Sequence, residues 1–344
     1  MVKITITLDE IYQTSKMALE KHGALRSIAH DVAHAIQIAE AKGNVICGLS
    51  YLESYCQQLM SGKVKGDVIP EATQVKSGAV FVDAKFGFAQ SAFKAGLDMA
   101  LNAAKENGVA SLAVGHAHTC TSLGYFTEQI AMKGYIGIGF TNASAIVSPP
   151  NGYKRVLGTN PIAMSVPAKE GGVAFQFDQS TSAVALGKIT MANAAGEKIP
   201  FGWAVDENGN ATDDPAAALK GSLLSMAGYK GWGLGLMVEV MASAFTGSIP
   251  SRDLVGLKLP EGAPHNLGQT YLIIDPTLHA GEAFWDNIQG LAKIVDSQEN
   301  ARLPGSRFVM PESVEIGVDI WEKTKSLAVV DSVTTRLKPT NKST

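Results

Sequence analysis

Gly158-Thr159-Asn160-Pro161-Ile162-Ala163-Met164-Ser165-Val166-Pro167 opens a segment that turns at Gly171-Gly172, runs to Phe177-Asp178-Gln179-Ser180-Thr181-Ser182 and closes at Gly187-Lys188. Val173 to Phe177 alternate apolar with small or polar residues, the period of a strand. The apolar content then gives way to an aspartate and three hydroxyls. Hydroxyls and free backbone N–H groups at a strand end can receive an anion. A turn capped by its own Asx and Ser/Thr side chains has the same composition.

Downstream, Lys188 to Pro215 reads as a strand, a polar loop and the turn Asp206-Glu207-Asn208-Gly209. Gly228-Tyr229-Lys230-Gly231-Trp232-Gly233-Leu234-Gly235 follows, ahead of an apolar helix predicted over 236–245. Small residues admit a phosphate to the backbone, a helix N-terminus adds positive potential and lysine adds charge. Close helix packing would explain the glycines but not the lysine. The stretch is neither Gly-x-Gly-x-x-Gly nor a Walker A loop.

Upstream, Thr7-Leu8-Asp9-Glu10 has the form of a capping box, and a second helix is predicted over 27–41. His30 and His34 share a face of that helix, with no third metal ligand in a recognisable spacing. Cys47 and Tyr51 follow the turn at Lys42-Gly43. A strand is predicted at 79–83, a helix at 88–107 and a strand at 109–114. The last delivers Gly115-His116-Ala117-His118-Thr119-Cys120, two imidazoles at a strand end, a place suited to acid–base work. A strand at 135–141 ends in Asn142. Lys154 and Arg155 could bring positive charge to the Gly158 segment. His265 precedes a strand at 270–275, and a helix is predicted from Pro311 with Val314, Val318 and Trp321 on its apolar face. Lys338 to Thr344 read as a disordered tail.

The bulk properties narrow the class. The chain has 344 residues, 46% hydrophobic and 18% charged, which describes a globular protein with a sizeable core. A net charge of −3 offers no basic surface for nucleic acid. No membrane span or signal peptide is evident, and Cys47, Cys56 and Cys120 have no metal-ligand spacing, so a reduced, cytoplasmic setting is expected.

Taken together, GTNPIAMSVP, FDQSTSAVALGK and the motifs around them resemble the malate/L-lactate dehydrogenase type 2 family, over roughly Leu8 to Arg307. That family includes sulfolactate, ureidoglycolate and diketogulonate dehydrogenases and reductases of cyclic imine carboxylates. The resemblance implies a non-Rossmann α/β fold, a mixed, largely antiparallel sheet with helices. It also implies a helical unit from both termini (1–75 with 311–344) beside a core of 76–310. It implies an NAD or NADP cofactor held by Ser180, Thr181, Ser182, Tyr229, Lys230, Pro304, Gly305 and Ser306. Tyr51, Asn142, Thr159 and His265 would lie near a small carboxylate substrate. His118, or His116, would move the proton. Where the family has a second histidine and an arginine, this chain has Cys47 and Tyr51. A thiol's ordinary pKa of about 8.5 suits proton transfer near neutrality less well than imidazole's 6.5 or so. The expected activity is hydride transfer to or from C2 of a 2-oxo or 2-hydroxy acid, with cyclic imine reduction, or nucleotide binding without turnover, as alternatives. No metal is expected, and a homodimer is.

Overall fold

The computed structural model describes residues 2–306 and 308–329; the expectations for Arg307 and for 338–344 lie outside the described residues. The chain begins with β1 (Lys3–Thr7), α1 (Leu8–Lys21), α2 (Arg26–Ala41) and α3 (Leu49–Ser61). It continues through β2 (Glu71–Lys76), β3 (Ala79–Asp83), α4 (Ala89–Asn107), β4 (Val109–Ala117), α5 (Gly124–Ala131), β5 (Ile136–Thr141), β6 (Ile162–Pro167) and β7 (Val173–Gln179). Then come α6 (Leu186–Ala195), β8 (Ala204–Val205), α7 (Pro215–Lys220), β9 (Ser222–Leu223) and α8 (Tyr229–Glu239), which passes into a π-helical turn, Val240–Ala244. The last elements are β10 (Leu267–Ile274), α9 (Ala283–Asp296), β11 (Ser313–Gly317) and α10 (Val318–Ala328).

Among the described residues, seven strands form one sheet in the order β2-β3-β4-β10-β5-β6-β7, parallel only between β3 and β4. α4 and α5 cover one face. Phe93 meets Phe126 and Tyr271 there edge to face, with its ring centre 4.9 Å from that of Tyr271. Burying each large apolar side chain contributes roughly 1.5–3 kcal/mol. The π-helical turn lies on the other face, so close to β10 that a Cβ on Gly268 would stand 1.8 Å from the Ala242 carbonyl. Only glycine fits that contact.

The two ends of the chain meet in a second core. β1 and β11 pair antiparallel, and Ile11, Leu19, Val32, Leu52 and Trp321 pack beneath them. The capping box forms, with Thr7 Oγ1 accepting from the Glu10 N–H and Glu10 reaching back to the Thr7 N–H. A third, smaller cluster gathers Val147, Leu157, Ile189, Ile199, Ala204 and Leu223.

Three predicted elements are corrected. The segment after Gly187 is helix α6, not a strand: Ile189 and Thr190 favour strand, but the alanines, Leu186 and Met191 outweigh them, and Gly196 (φ 69°) caps the end. The helix beyond Gly228 begins at Tyr229, seven residues before the predicted start. No helix begins at Pro311. Val314 and Ile316 alternate in strand β11, and Gly317 opens α10. Val314 and Trp321 still reach the same core, which is why their spacing imitates one helical face.

Candidate active site

Strand β4 runs on to Ala117 and hands the chain to His118, whose N–H donates to the Gly87 carbonyl at 2.9 Å. The side chain is 1% exposed. Tyr55 and Phe88 meet its ring edge-on, and His265 stacks on it with centroids 4.1 Å apart. Gln58 Nε2 donates to the Leu257 and Leu259 carbonyls, which turns Gln58 Oε1 toward His118 Nε2 at 2.8 Å. A carbonyl oxygen only accepts, so the network assigns the hydrogen to Nε2 and the lone pair to Nδ1. Among the described residues, His118 Nδ1 and both ring nitrogens of His265 make no hydrogen bond of normal geometry, although the Thr119 carbonyl lies near the His118 ring and the Leu257 carbonyl near that of His265.

Burial, with His265 and the Lys63 ammonium nearby, holds His118 well below the ordinary imidazole range. Burial and Lys63 push His265 down to about 4. Near neutrality both rings are uncharged, and His118 presents a basic nitrogen. Lys63 is itself buried, donating to the Leu259 carbonyl at 2.9 Å and the Gly256 carbonyl at 3.4 Å.

His116 lies elsewhere. Its backbone is left-handed (φ 51°), and its half-exposed ring is held by Asp83, Nδ1 to Oδ1, at 2.9 Å. The half-buried Cys47 thiol is pushed up to about 12 by burial, with Asp178 adding to the effect. Tyr51 is buried, its hydroxyl donating to the Leu257 carbonyl at 3.3 Å, and burial raises its phenol too. Neither group is an acid of useful strength near pH 7.

The hydroxyl turn after β7 is held on both sides. Thr181 N–H donates to the Thr159 carbonyl at 2.9 Å, Ala183 N–H to Leu224 at 2.7 Å and Met226 N–H to Thr181 at 3.0 Å. This register brings Ser180, Thr181 and Ser182 alongside the chain that leads into Gly228, Tyr229 and Lys230. The Thr181 hydroxyl is spent on the Thr159 and Asn160 carbonyls, and that of Ser182 on Val184. Ser180 is half-buried; its hydroxyl accepts from Ser182 at 3.1 Å and donates only weakly, at 3.5 Å, to the Ser182 carbonyl. Tyr229 and Lys230 are exposed in the first turn of α8, which has no side-chain cap. Lys230 pairs with no carboxylate among the described residues.

Pro304 accepts from the Gln176 N–H at 2.8 Å, which seats Gly305 and Ser306 beside β7. A groove of about 460 Å³ lies there, lined by Lys42, Gln176, Gly305, Ser306 and Phe308. Lys42 and Gln176 also line a recess of about 120 Å³ that reaches Asn44, Ser122 and Asp178. Asn142 is buried, with Nδ2 on the Ile249 carbonyl and Oδ1 unpartnered.

One sequence expectation about charge changes. Arg155 donates to the Leu219, Lys220 and Gly221 carbonyls, closing the end of α7, so it brings no charge to the site. His30 and His34 bridge Tyr12 and Tyr125, at 2.6 Å and 2.9 Å. Among the described residues, no group of three or more His, Cys, Asp or Glu could hold a metal ion.

Sequence reasoning missed Gln58, Lys63, Lys258 and the part taken by Asp178. Asp178 accepts from the Gly124 N–H at 2.8 Å and the Ser122 hydroxyl at 3.3 Å, tying the His118 loop to the hydroxyl turn. Its carboxylate opens to solvent in the recess, while the crowding of protein around it raises its pKa. Lys258 Nζ lies 4.8 Å from the centre of the Tyr51 ring. Only Asp178 carried a signal, its place in the FDQSTS segment; the others sit in no motif.

The profile of the family described as malate/L-lactate dehydrogenase matches residues 6–338. A (2R)-3-sulfolactate dehydrogenase (NADP(+)) of Chromohalobacter salexigens is 36% identical over 302 residues, 88% of this chain and 90% of that protein. A Δ1-pyrroline-2-carboxylate/Δ1-piperideine-2-carboxylate reductase of Pseudomonas aeruginosa is 34% identical over 309 residues, 88% of this chain and 91% of that protein. The crystal structure of Δ1-piperideine-2-carboxylate reductase from Pseudomonas syringae superposes with a TM-score of 0.87 at 30% identity, covering 94% of this chain and 99% of that one.

Proposed function

The chain belongs to the malate/L-lactate dehydrogenase family, and on that premise we propose that it is an NAD(P)-dependent reductase of a small cyclic imine 2-carboxylate of the Δ1-pyrroline or Δ1-piperideine type. The observation that carries the choice is the state of His118. Its only proton-bearing nitrogen is committed to Gln58, and the other is a lone pair. Reducing a ketone requires the protein to deliver a proton to oxygen. An imine is basic enough to arrive as iminium, whose N–H can donate to His118 Nδ1. The imidazole then orients the substrate rather than acidifying it. The same lone pair supports a second reading, oxidation of a 2-hydroxy acid, in which Nδ1 takes the hydroxyl proton.

The cofactor fits the residues present. The uncapped first turn of α8, the Lys230 ammonium, which pairs with no carboxylate among the described residues, and Gly228 with a positive φ of 62° together suit a diphosphate. Ser180, Tyr229 and Lys230 would hold it, with Gly305 and Ser306 lining its groove. When bound, the nicotinamide supplies the hydride to C2 of the substrate. Thr181 and Ser182 shape the turn through their backbone bonds, Thr159 anchors it through its carbonyl, and Asp178 couples it to the His118 loop.

We further propose a homodimer in the cytoplasm. α9 buries none of its residues, and Ile294 is 65% and Leu291 45% exposed on it. No helix among the described residues is long and apolar enough to cross a membrane, and the three cysteines are free thiols.

Oxidation of NADPH and NADH followed spectrophotometrically with Δ1-pyrroline-2-carboxylate, Δ1-piperideine-2-carboxylate and a panel of 2-oxo acids tests the assignment. Faster turnover of the imines supports it. Turnover of 2-oxo acids with no imine reduction transfers the assignment to the hydroxy-acid reading, and silence with both defeats the two together.

A further inference from the structure

A substrate bearing a carboxylate needs a cation, and α3 carries Tyr51, whose hydroxyl meets the Leu257 carbonyl. The ammonium that lies against that tyrosine comes from another part of the chain: Lys258 Nζ stands 4.8 Å from the Tyr51 ring centre. Its charge also acts on the Cys47 thiol, drawing it down against the effect of burial. Lys258 pairs with no carboxylate among the described residues, whereas Lys63, the other lysine near the imidazoles, is buried and engaged by carbonyls.

The backbone around Lys258 is held on both sides. Lys63 takes the carbonyls of Gly256 and Leu259, Tyr51 and Gln58 take that of Leu257, Gln58 also takes that of Leu259, and Ser61 takes that of Pro260 at 2.6 Å. Gln58 is the same side chain that sets the His118 tautomer. One amide therefore fixes both the imidazole and the loop that carries the lysine. Tyr51 packs against Tyr55 with the rings tilted by 47° and centroids 4.9 Å apart, and Tyr55 meets the His118 ring, so a row of rings joins Lys258 to His118. The Tyr51 ring is buried but Lys258 is exposed, and a cation on a π face at an exposed site is bound by only about 0.5–1 kcal/mol, so a carboxylate can draw it away.

Resting on the reductase reading above, we infer that Lys258 is the residue that receives the substrate carboxylate, with Tyr51 as the platform from which its ammonium moves. It is a substrate-binding and specificity-determining residue supplied by the strapped 256–260 loop.

The test compares wild type, Lys258→Met and Lys258→Arg with NADPH, using Δ1-pyrroline-2-carboxylate and Δ1-pyrroline, which lacks the carboxylate. In Lys258→Met the KM for the carboxylate rises tenfold or more, turnover of Δ1-pyrroline stays within twofold, and Lys258→Arg recovers most of the loss. Loss of selectivity for the charged substrate is a readout that a merely structural role would not produce. A KM within twofold of wild type in Lys258→Met overturns the inference. So does an equal loss on both substrates. If wild type reduces no imine, the functional reading fails by itself. Calorimetric binding of pyrrole-2-carboxylate, a planar unreactive carboxylate, to wild type and Lys258→Met then decides about the lysine. Weaker binding in the variant upholds the contact; equal binding, or none to either protein, overturns it.

Discussion

His118 and His265 lie face to face, ring centroids 4.1 Å apart and planes inclined by 15°. Two imidazoles so placed and buried cannot both carry charge without cost, and the Lys63 ammonium raises that cost further. Each ring therefore binds its proton more weakly in the folded chain than in the unfolded one. Below pH about 6.5 the unfolded chain takes up protons that the folded chain refuses, so stability falls with pH. For His265 the window runs from there down to about 4, and its full effect is of order 3 kcal/mol. Urea midpoints should drop between pH 7.5 and 5, and drop less in His265→Phe, which keeps a stacking ring without a titrating one. An unchanged slope in the variant would remove His265 from the effect.

Gln58 should control the acid–base behaviour of His118. Gln58→Glu puts a carboxylate against the Nε2–H and favours the imidazolium. Activity that needs a neutral Nδ1 is lost as pH falls through the His118 pKa, so the acidic limb of kcat/KM should move to higher pH by about one unit or more. His118→Ala, which removes the nitrogen that orients the substrate, should lower kcat about 100-fold while leaving cofactor Kd within about twofold. A stationary limb, or an undiminished kcat, would contradict this pairing.

Cys47 should be chemically quiet. A thiol pushed up to about 12 holds almost no thiolate at pH 7.5. Maleimide labelling of Cys47 under native conditions should be far slower than that of a model thiol, and Cys47→Ser should keep kcat within about threefold, since a group this weakly acidic contributes little to proton transfer. Rapid labelling, or a collapse of kcat, would restore the thiol as a catalytic candidate.

Lys230→Ala should act on the cofactor. Removing the ammonium from the first turn of α8 should raise the cofactor Kd about tenfold, equal to about 1.4 kcal/mol, and weaken its dependence on salt. An unaltered Kd by fluorescence titration would place the diphosphate elsewhere.

Gly158→Ala tests the turn that opens the hydroxyl segment. A Cβ there would stand 2.3 Å from the Ala143 carbonyl oxygen, so backbone must move. The expected loss is about 2–3 kcal/mol of stability, read as a lower urea midpoint with an unchanged slope.

Local physics was legible in the chain. The Thr7–Glu10 capping box, the apolar stripe of α4, the alternation before Asp178 and the glycine-flanked Lys230 each depend on neighbours a few residues away. Their reading therefore needs no partner from elsewhere. Where a local pattern admitted two structures, packing chose. Val314 and Ile316 became strand β11 because β1 offered a partner edge, and the alanines of α6 prevailed over its β-branched pair.

The state of the imidazole was legible from no motif. Gln58 lies 60 residues from His118 in the chain, and Lys63 binds the carbonyls of a loop nearly 200 residues beyond α3, the loop that carries Lys258. Order along the chain determined which residue types were present and the local structure each favoured. Tertiary folding alone decided which lone pair was left without a donor and which ammonium without an anion. Those depend on burial and on contacts between distant segments, and neither has a period or spacing that a sequence can display.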